Sequence, residues 1–189
     1  MTQTQVTYRP SDVLLIVDMQ NDFCEGGALP VTGGNALVPG INAEAETASR
    51  AGALIVASRD WHPVDHCSFD SQGGPWPAHC VQDTPGAAFH PQLEFPEGTV
   101  KVSKGTAFDR DAYSAFDGTG LAGFLQRRGI ERVVVCGLAM DVCVRATTLD
   151  ALKAGFPTCL LAALTEPVSS EQRQACEDEL REAGGEVVI

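Results

Sequence analysis

The sequence predicts an α/β protein with a doubly wound, mostly parallel six-stranded sheet and helices on both faces of the sheet. Two observations lead to this fold class. Short apolar runs rich in Val, Ile and Leu recur along the 189 residues, and segments with helical character lie between them. Continuous apolar runs are typical of strands that are buried on both faces. Strands that alternate with helices favour right-handed crossovers and hence a parallel sheet.

Six apolar runs are predicted to be the strands. In chain order they are VLLIVD (13–18), ALIVAS (53–58), TVKVS (99–103), RVVVCG (132–137), TCLLAA (158–163) and EVVI (186–189). Each run is short enough for a strand and too short for a helix of ordinary length. The chain length and the hydrophobic content of 44% suit one core, so residues 1–189 are expected to form a single domain.

Four segments between the strands are predicted to be helices. They are 35–50, which opens on Asn35; about 120–128, with Leu121, Phe124 and Leu125 at helical spacing; 142–153, which follows Asp141; and 169–182, in which Ser169 and Gln172 have capping-box spacing. Glycines stand where these helices and the turns after them should end, at positions 52, 129, 155 and 184.

The charge balance limits the classes of partner. The net charge is -12 and Lys and Arg form no cluster, so binding to nucleic acid or to an anionic membrane is disfavoured. The apolar run near the N-terminus is short and is broken by Asp18, which predicts neither a signal segment nor a membrane span. We therefore expect a cytoplasmic protein whose partners are small molecules or further copies of itself in a homo-oligomer.

Seven cysteines do not indicate a disulfide scaffold in this chain. Their number is odd, and several lie within apolar runs such as VVVCG and TCLLAA. Most of them are expected to be free, buried thiols.

About forty residues between the second and third predicted strands carry no periodic element. A loop of this length in a compact domain is usually functional. Its first part, SRDWHPVDHCSFDSQGGPWPAHCV (58–81), contains three of the four histidines of the chain together with Asp60. The loop is therefore the first place to look for a binding site.

Three residues that follow strands indicate nucleophilic chemistry. Asp18 closes the first strand, Lys104 follows the third, and Cys143 comes soon after the fourth, in the first turn of a predicted helix. Parallel sheets bind ligands beyond the carboxyl ends of their strands. A helix N-terminus lowers the pKa of a thiol, so Cys143 is expected to titrate nearer neutrality than usual. Each residue alone is more often structural, and only their convergence favours function.

The loop also has the composition of a metal site. Asp60 and His62 are two residues apart, so an extended backbone would direct both side chains to one side, and His66 and His79 supply further imidazoles. This donor set suits Zn, Fe or Mn. The alternative is that these histidines are loop caps and surface residues. Phe23 and Trp76 are either core anchors or the flat walls of a pocket for a small aromatic ligand.

Five motifs in this order resemble those of a known family. They are DMQNDF, DWHP, GGPWPAHCV, KGTAFD and GLAMDVCV. The chain resembles the nicotinamidases of the isochorismatase-like cysteine hydrolase superfamily from about Val13 to the TEPVSS segment. DMQ is shared across that superfamily, whereas the combination of DWHP with GGPWPAHC narrows the resemblance strongly to nicotinamidases.

The resemblance implies a reaction and the residues that carry it out. The expected triad is Asp18, Lys104 and Cys143, which would hydrolyse nicotinamide, and pyrazinamide as well, to the acid and ammonia through a thioester. The resemblance further implies an oxyanion hole made by the backbone N–H groups of Ala139 and Cys143, beside a cis peptide bond between Leu138 and Ala139.

The resemblance also implies a cofactor and a pocket. One divalent ion, with Zn as the first choice and Fe or Mn as alternatives, would be held by Asp60, His62 and His79, with His66 as a further candidate ligand. The pyridine nitrogen would bind this ion between Phe23 and Trp76, and Leu138 is expected to contact the substrate. Relatives commonly carry Thr where this chain has Met140.

Two other functions remain open from the sequence. One is an amidohydrolase of the same superfamily that acts on a ureido or carbamoyl compound, although such relatives generally lack the DWH and PAHC residues. The other is a non-catalytic metal-binding or thiol-redox protein, against which the absence of a CxxC motif counts.

Overall fold

The computed structural model describes residues 6–189 and contains one sheet of six parallel strands. The strands are β1 (Asp12–Val17), β2 (Leu54–Asp60), β3 (Val100–Lys104), β4 (Arg132–Leu138), β5 (Thr158–Glu166) and β6 (Glu186–Val188). The helices are α1 (Gly34–Arg50), α2 (Leu121–Arg127), α3 (Arg145–Lys153) and α4 (Arg173–Glu182). The predicted fold class is confirmed, and the sheet is parallel throughout.

The sheet separates two hydrophobic cores, and alternate residues of the central strand β1 face each of them. Leu14 and Ile16 pack in the core that contains the apolar side of α1. Val13 and Leu15 pack in the opposite core, to which α2, α3 and α4 contribute. Both sets are fully buried. This explains why the strand sequences are continuously apolar, because each strand faces a core on both sides.

The strand order positions the site. It is β3-β2-β1-β4-β5-β6, so the chain builds outward from β1 to β3 and then returns to place β4 on the other side of β1. The connections that leave β1 and β4 therefore depart in opposite directions across the sheet. This arrangement opens a crevice at the carboxyl ends of β1 and β4, where ligands bind in doubly wound folds.

Two predicted helices begin later than the sequence indicated. Residues Met140–Val144 form a π-helical turn before α3, and Ser170–Gln172 form a 3-10 turn before α4. The capping box at Ser169 is wrong, because its side chain makes no capping hydrogen bond. Instead the backbone N–H of Ser169 donates to a carboxylate oxygen of Asp141 at 3.2 Å, which ties this segment to the turn after β4.

The long segment between β2 and β3 is irregular, as predicted. It contains a 3-10 turn at Asp70–Gln72 and isolated bridges, of which one joins His62 to Val81.

All seven cysteines are free, and all but Cys67 are buried. Within residues 6–189, no helix combines the length and the apolar character that crossing a membrane requires.

Candidate active site

Asp18, Lys104 and Cys143 meet at the carboxyl edge of the sheet. Asp18 follows β1 with a left-handed φ of 47°, Lys104 is the last residue of β3, and Cys143 lies in the π-helical turn after β4. The ammonium Nζ of Lys104 is 2.9 Å from Oδ2 of Asp18 and 3.4 Å from Sγ of Cys143. It also forms an ion pair with Oδ1 of Asp60. The ammonium therefore links an acid, a thiol and the first residue of the histidine cluster.

Burial and charge set the protonation states of this group. Burial by itself would lower the pKa of Lys104, but Asp18 and Asp60 outweigh it and hold that pKa well above its usual value. Burial raises the pKa of Asp18, Lys104 opposes this rise, and the charge of Asp60 adds to it. Asp18 is therefore a more basic carboxylate than an exposed one, as suits a group that exchanges protons.

The predicted lowering of the thiol pKa is wrong. Burial raises the pKa of Cys143 well above that of a free thiol, and the opposing effect of Lys104 is smaller than this rise. Asp18 and Asp60 raise it further, since two carboxylates and one ammonium leave an excess negative charge beside the sulfur. Burial and the two carboxylates therefore favour the thiol form of Cys143 over the thiolate.

Ser58 holds the carboxylate of Asp18 in place. Its hydroxyl donates to Oδ1 of Asp18 at 2.7 Å, and both residues are fully buried. This leaves Oδ2 for Lys104 and the thiol. Sequence reasoning missed Ser58, because a serine within an apolar strand resembles any small buried residue.

Asp60, His62 and His79 form a compact cluster of possible metal ligands. Oδ2 of Asp60 is 3.5 Å from Nε2 of His62 and 3.9 Å from Nε2 of His79. All three residues are buried, and one donor atom from each lies within 4.8 Å of the others. Burial would raise the pKa of Asp60, but Lys104 and His62 lower it and keep the group a carboxylate.

Main-chain carbonyls orient both imidazoles. Nδ1 of His62 lies 2.9 Å from the carbonyl of Gly105, and Nδ1 of His79 lies 2.7 Å from the carbonyl of Pro77. An imidazole that donates from Nδ1 to a carbonyl keeps the lone pair of Nε2 for a cation. The donor types and their orientation therefore fit a divalent ion such as Zn²⁺. A β-carbon at Gly105 would lie 2.4 Å from the ring of His62, so this approach requires glycine.

His66, the further candidate ligand, lies outside the cluster of Asp60, His62 and His79. Its ring stacks on His62 with centroids 4.2 Å apart. Its Nδ1 is 2.7 Å from the hydroxyl of Ser68, and its Nε2 is 3.2 Å from the carbonyl of Arg110. Both nitrogens are therefore turned to protein partners rather than to the other donors.

A second set of acidic and thiol groups, Asp18, Asp60 and Cys143, also brings its donor atoms within 4.8 Å. The ammonium of Lys104 lies among these atoms, at the distances given above. A cation is therefore already present as a side chain, and this set does not form a second metal centre.

A cavity of about 450 Å³, including its open mouth, joins the thiol to the histidine cluster. Its walls contain Phe23, Leu29, Val31, Asp60, His62, Trp76, His79, Asp111, Ala112, Tyr113, Ala139, Val142, Cys143 and Val168. Nε1 of Trp76 donates to the hydroxyl of Tyr113 at 3.1 Å. The sequence indicated Phe23 and Trp76 but not Tyr113, although the irregular stretch after β3 that contains Tyr113 is also typical of a functional loop.

Leu138 and Met140 do not reach this cavity. The side chain of Leu138 is fully buried and packs 3.0 Å from the ideal β-carbon position of Gly34, in the core beside α1. The side chain of Met140 is fully buried in the opposite core. The side chain of Met140 therefore does not contribute to the cavity wall.

The backbone turn that carries Cys143 begins at a cis peptide bond. The peptide bond between Leu138 and Ala139 is cis, as predicted. The carbonyl of Ala139 accepts hydrogen bonds from the N–H groups of Val142 and Val144, each at 3.1 Å. Ala139 and Cys143 both line the cavity.

The chain is similar in sequence to known proteins over nearly its whole length. The model of the isochorismatase domain matches residues 12–188. The chain is 43% identical to the nicotinamidase/pyrazinamidase of Mycobacterium tuberculosis over 186 residues, which cover 93% of this chain and 97% of that protein.

Two solved structures share the fold over nearly the whole chain. The pyrazinamidase of Pyrococcus horikoshii in complex with zinc has a TM-score of 0.92 at 47% identity, with 95% of this chain and 99% of that chain covered. PnC1 from L. infantum in complex with nicotinate has a TM-score of 0.91 at 44% identity, with 97% and 95% covered.

Proposed function

The chain belongs to the isochorismatase family, and we propose that within this family it is a nicotinamidase, which hydrolyses nicotinamide to nicotinate and ammonia and also accepts pyrazinamide. The observation that carries the proposal is one cavity lined by both Cys143 and the cluster of Asp60, His62 and His79. The zinc and nicotinate complexes of the two similar structures support it.

Proton transfer from Cys143 to Asp18 begins the proposed reaction. Because the pKa of the thiol and that of the carboxyl group are both raised, the proton moves as the sulfur attacks the carboxamide carbon, without a stable thiolate beforehand. Asp18 then returns the proton to the departing amine, and ammonia leaves as a thioester forms at Cys143. Water hydrolyses the thioester to the carboxylic acid.

Lys104 and the backbone turn stabilise the charge that develops in this reaction. The ammonium of Lys104 lies between Asp18 and the sulfur, so it balances negative charge at either position. The N–H groups of Ala139 and Cys143 are the proposed donors to the carbonyl oxygen as it becomes negative. The loss of one such donor typically costs about 2.7 to 4 kcal/mol of transition-state stabilisation.

The proposed cofactor is one divalent ion, zinc, held by Asp60, His62 and His79. When bound, the ion supplies a Lewis-acid contact for the pyridine nitrogen of the substrate. The side chains of Phe23 and Trp76 form flat walls of the cavity on which an aromatic ring can pack. The same ring then presents its carboxamide toward Cys143, so pyridine and pyrazine carboxamides are the proposed substrates.

Ammonia release from nicotinamide by the purified protein tests this function. Nicotinate should appear in equal amount, as measured by chromatography, and activity should fall on chelation and return with Zn, Mn or Fe. Cys143→Ala should abolish turnover. Cys159→Ala, which changes a buried cysteine of β5 away from the site, should retain turnover. Turnover by Cys143→Ala would rule out this nucleophile.

The same assay separates the alternatives. If nicotinamide and pyrazinamide yield no ammonia with any metal but a ureido or carbamoyl compound does, the triad serves another amide substrate. If no amide or ureido compound is hydrolysed, the metal-binding or thiol-redox interpretation replaces the enzymatic one.

A further inference from the structure

Gln20 is fully buried three residues beyond the end of β1, and the reaction proposed above does not use it. Its side-chain carboxamide makes three hydrogen bonds. Oε1 accepts from the backbone N–H of Asp60 at 2.7 Å, and Nε2 donates to the carbonyls of Asp60 at 2.7 Å and Ala87 at 2.9 Å. A carboxamide has a donor and an acceptor side by side, as a peptide group does, so it can match the main chain of one residue at two points.

The main chain of Asp60 needs such a partner on one side. The pairing of β1 with β2 ends at Ile16 and Ala57, followed by one hydrogen bond from the N–H of Asp18 to the carbonyl of Ser58. Beyond that point the chain turns away from β2, whereas on its other side Asp60 still pairs with Lys104 of β3. The carboxamide of Gln20 therefore occupies the place of a missing strand residue, and it satisfies buried groups that would otherwise be unpaired.

Asp60 is the residue that connects the two halves of the site. Its Oδ1 pairs with the ammonium of Lys104, and its Oδ2 faces Nε2 of both His62 and His79. A shift of its main chain would move both oxygens together. The position of Asp60 thus affects the cation-binding cluster and the charge balance beside the nucleophile at once.

We propose that Gln20 is a positioning residue for the metal site, because it holds the main chain of Asp60 where its carboxylate can bind a divalent cation together with the two histidines. This inference rests on the metal site proposed above. Groups that orient metal ligands typically change metal affinity about 10- to 100-fold when they are removed.

A purely structural role for Gln20 predicts a different outcome. Replacement of Gln20 would then lower the stability of the fold without changing the metal affinity of the folded protein. Asn42 provides a matched control, because its carboxamide also grips the main chain at two points. Nδ2 of Asn42 donates to the carbonyl of Gln92 at 2.8 Å, and its Oδ1 accepts from the N–H of Glu94 at 2.9 Å. None of these three residues lines the cavity.

The experiment measures the zinc dissociation constant of metal-free protein by competition with a chromophoric chelator. Wild type, Gln20→Met, Gln20→Glu and Asn42→Leu are compared, and circular dichroism checks that each is folded. Both Gln20 variants should bind zinc about 10- to 100-fold more weakly than wild type. Asn42→Leu should lie within about twofold of wild type, since it acts on stability alone.

Gln20→Glu keeps the inference testable if Gln20→Met does not fold. It retains the length of the side chain and the acceptor for the N–H of Asp60, but it sets a carboxylate against the carbonyls of Asp60 and Ala87. Wild-type zinc affinity in a folded Gln20 variant would overturn the inference while leaving the metal site intact. If the wild-type protein itself bound no zinc, both the metal site and this inference would fail.

Discussion

The two ends of β1 each carry a fully buried aspartate, and the pKa values of these two aspartates are shifted in opposite directions. At the amino end, Asp12 accepts hydrogen bonds from Arg132 at 3.1 and 2.5 Å and from the backbone N–H of Arg9 at 2.7 Å. Burial would raise the pKa of Asp12, but these partners lower it. At the carboxyl end, burial raises the pKa of Asp18 despite the ion pair with Lys104.

The difference lies in how completely each carboxylate is satisfied. Asp12 has a guanidinium with two matched donors, and the backbone N–H of Arg9 adds a third hydrogen bond. Asp18 shares a single ammonium with Asp60 and borders the thiol of Cys143. The first arrangement stabilises the fold, whereas the second keeps a buried base available for proton transfer.

The largest expected effect comes from Asp18→Asn, which removes the proposed base. We expect kcat/KM for nicotinamide to fall by about 10⁴-fold, because an amide cannot take the proton of Cys143. The free energy of unfolding should change less than in Asp12→Asn, since Lys104 keeps Asp60 as a partner. Steady-state kinetics and urea unfolding measure the two effects. Near wild-type turnover would remove Asp18 from the reaction.

The next largest effect is expected from a comparison of Gly105→Ala with Gly98→Ala. These two glycines have positive φ and lie near the two ends of β3. Gly105→Ala should weaken zinc affinity about 10- to 100-fold, because the new methyl group meets the ring of His62 at 2.4 Å. Gly98→Ala introduces the same kind of backbone strain, with φ of 81°, but meets no atom within 4 Å. It should therefore lower stability alone. Equal zinc affinity in the two variants would show that the ring of His62 accommodates the methyl group.

A smaller effect is expected from Asp12→Asn at the structural end of β1. The loss of the charged hydrogen bonds to Arg132 should lower the free energy of unfolding by about 2 kcal/mol. Turnover per folded molecule should stay within about twofold of wild type, since Asp12 lies at the opposite edge of the sheet from the cavity. A large loss of activity in folded Asp12→Asn would contradict the separation of roles between the two aspartates.

The smallest effect is the pH dependence of the difference in unfolding free energy between wild type and Asp12→Asn. Because the pKa of Asp12 is lowered in the folded state, its contribution to stability is complete above the unfolded value of about 4 and is lost as the pH falls through the folded pKa. The difference in unfolding free energy between wild type and Asp12→Asn should therefore be constant from pH 7 to about 5 and shrink at lower pH. Urea unfolding between pH 3 and 7 measures it. A difference that grows on acidification would show that the pKa of Asp12 is raised.

The fold was predictable because its strands are buried on both faces and therefore read as continuous apolar runs. Their ends were less predictable. The last strand before α4 runs to Glu166 instead of 163, because β5 resumes its pairing with β4 after a register shift between Val135 and Gly137. The helix starts were also misplaced, since the π-helical and 3-10 turns depend on contacts such as that of Asp141 with Ser169.

The composition of the candidate site was equally predictable, because an acid, a lysine, a cysteine and a cluster of histidines follow the strands that end at one edge of the sheet. The sequence did not predict which of the histidines join the cluster of possible metal ligands. Nothing in the spacing of the histidines distinguishes His66 from His79, yet packing turns the nitrogens of His66 to Ser68 and Arg110. Gln20 and Ser58 were missed for the same reason, since their partners are 40 residues away along the chain.

The sequence by itself determined the fold class and the chemical types of the site residues, because periodicity and strand-end residues are local properties. The tertiary structure decided the direction in which the pKa of Cys143 shifts, which the sequence alone led us to misjudge. A helix N-terminus lowers the pKa of a thiol, but here burial and the charges of Asp18 and Asp60 raise it by more than Lys104 can offset. Burial and charge are set by residues that are distant in sequence and adjacent in space, so only the folded chain could reveal their balance.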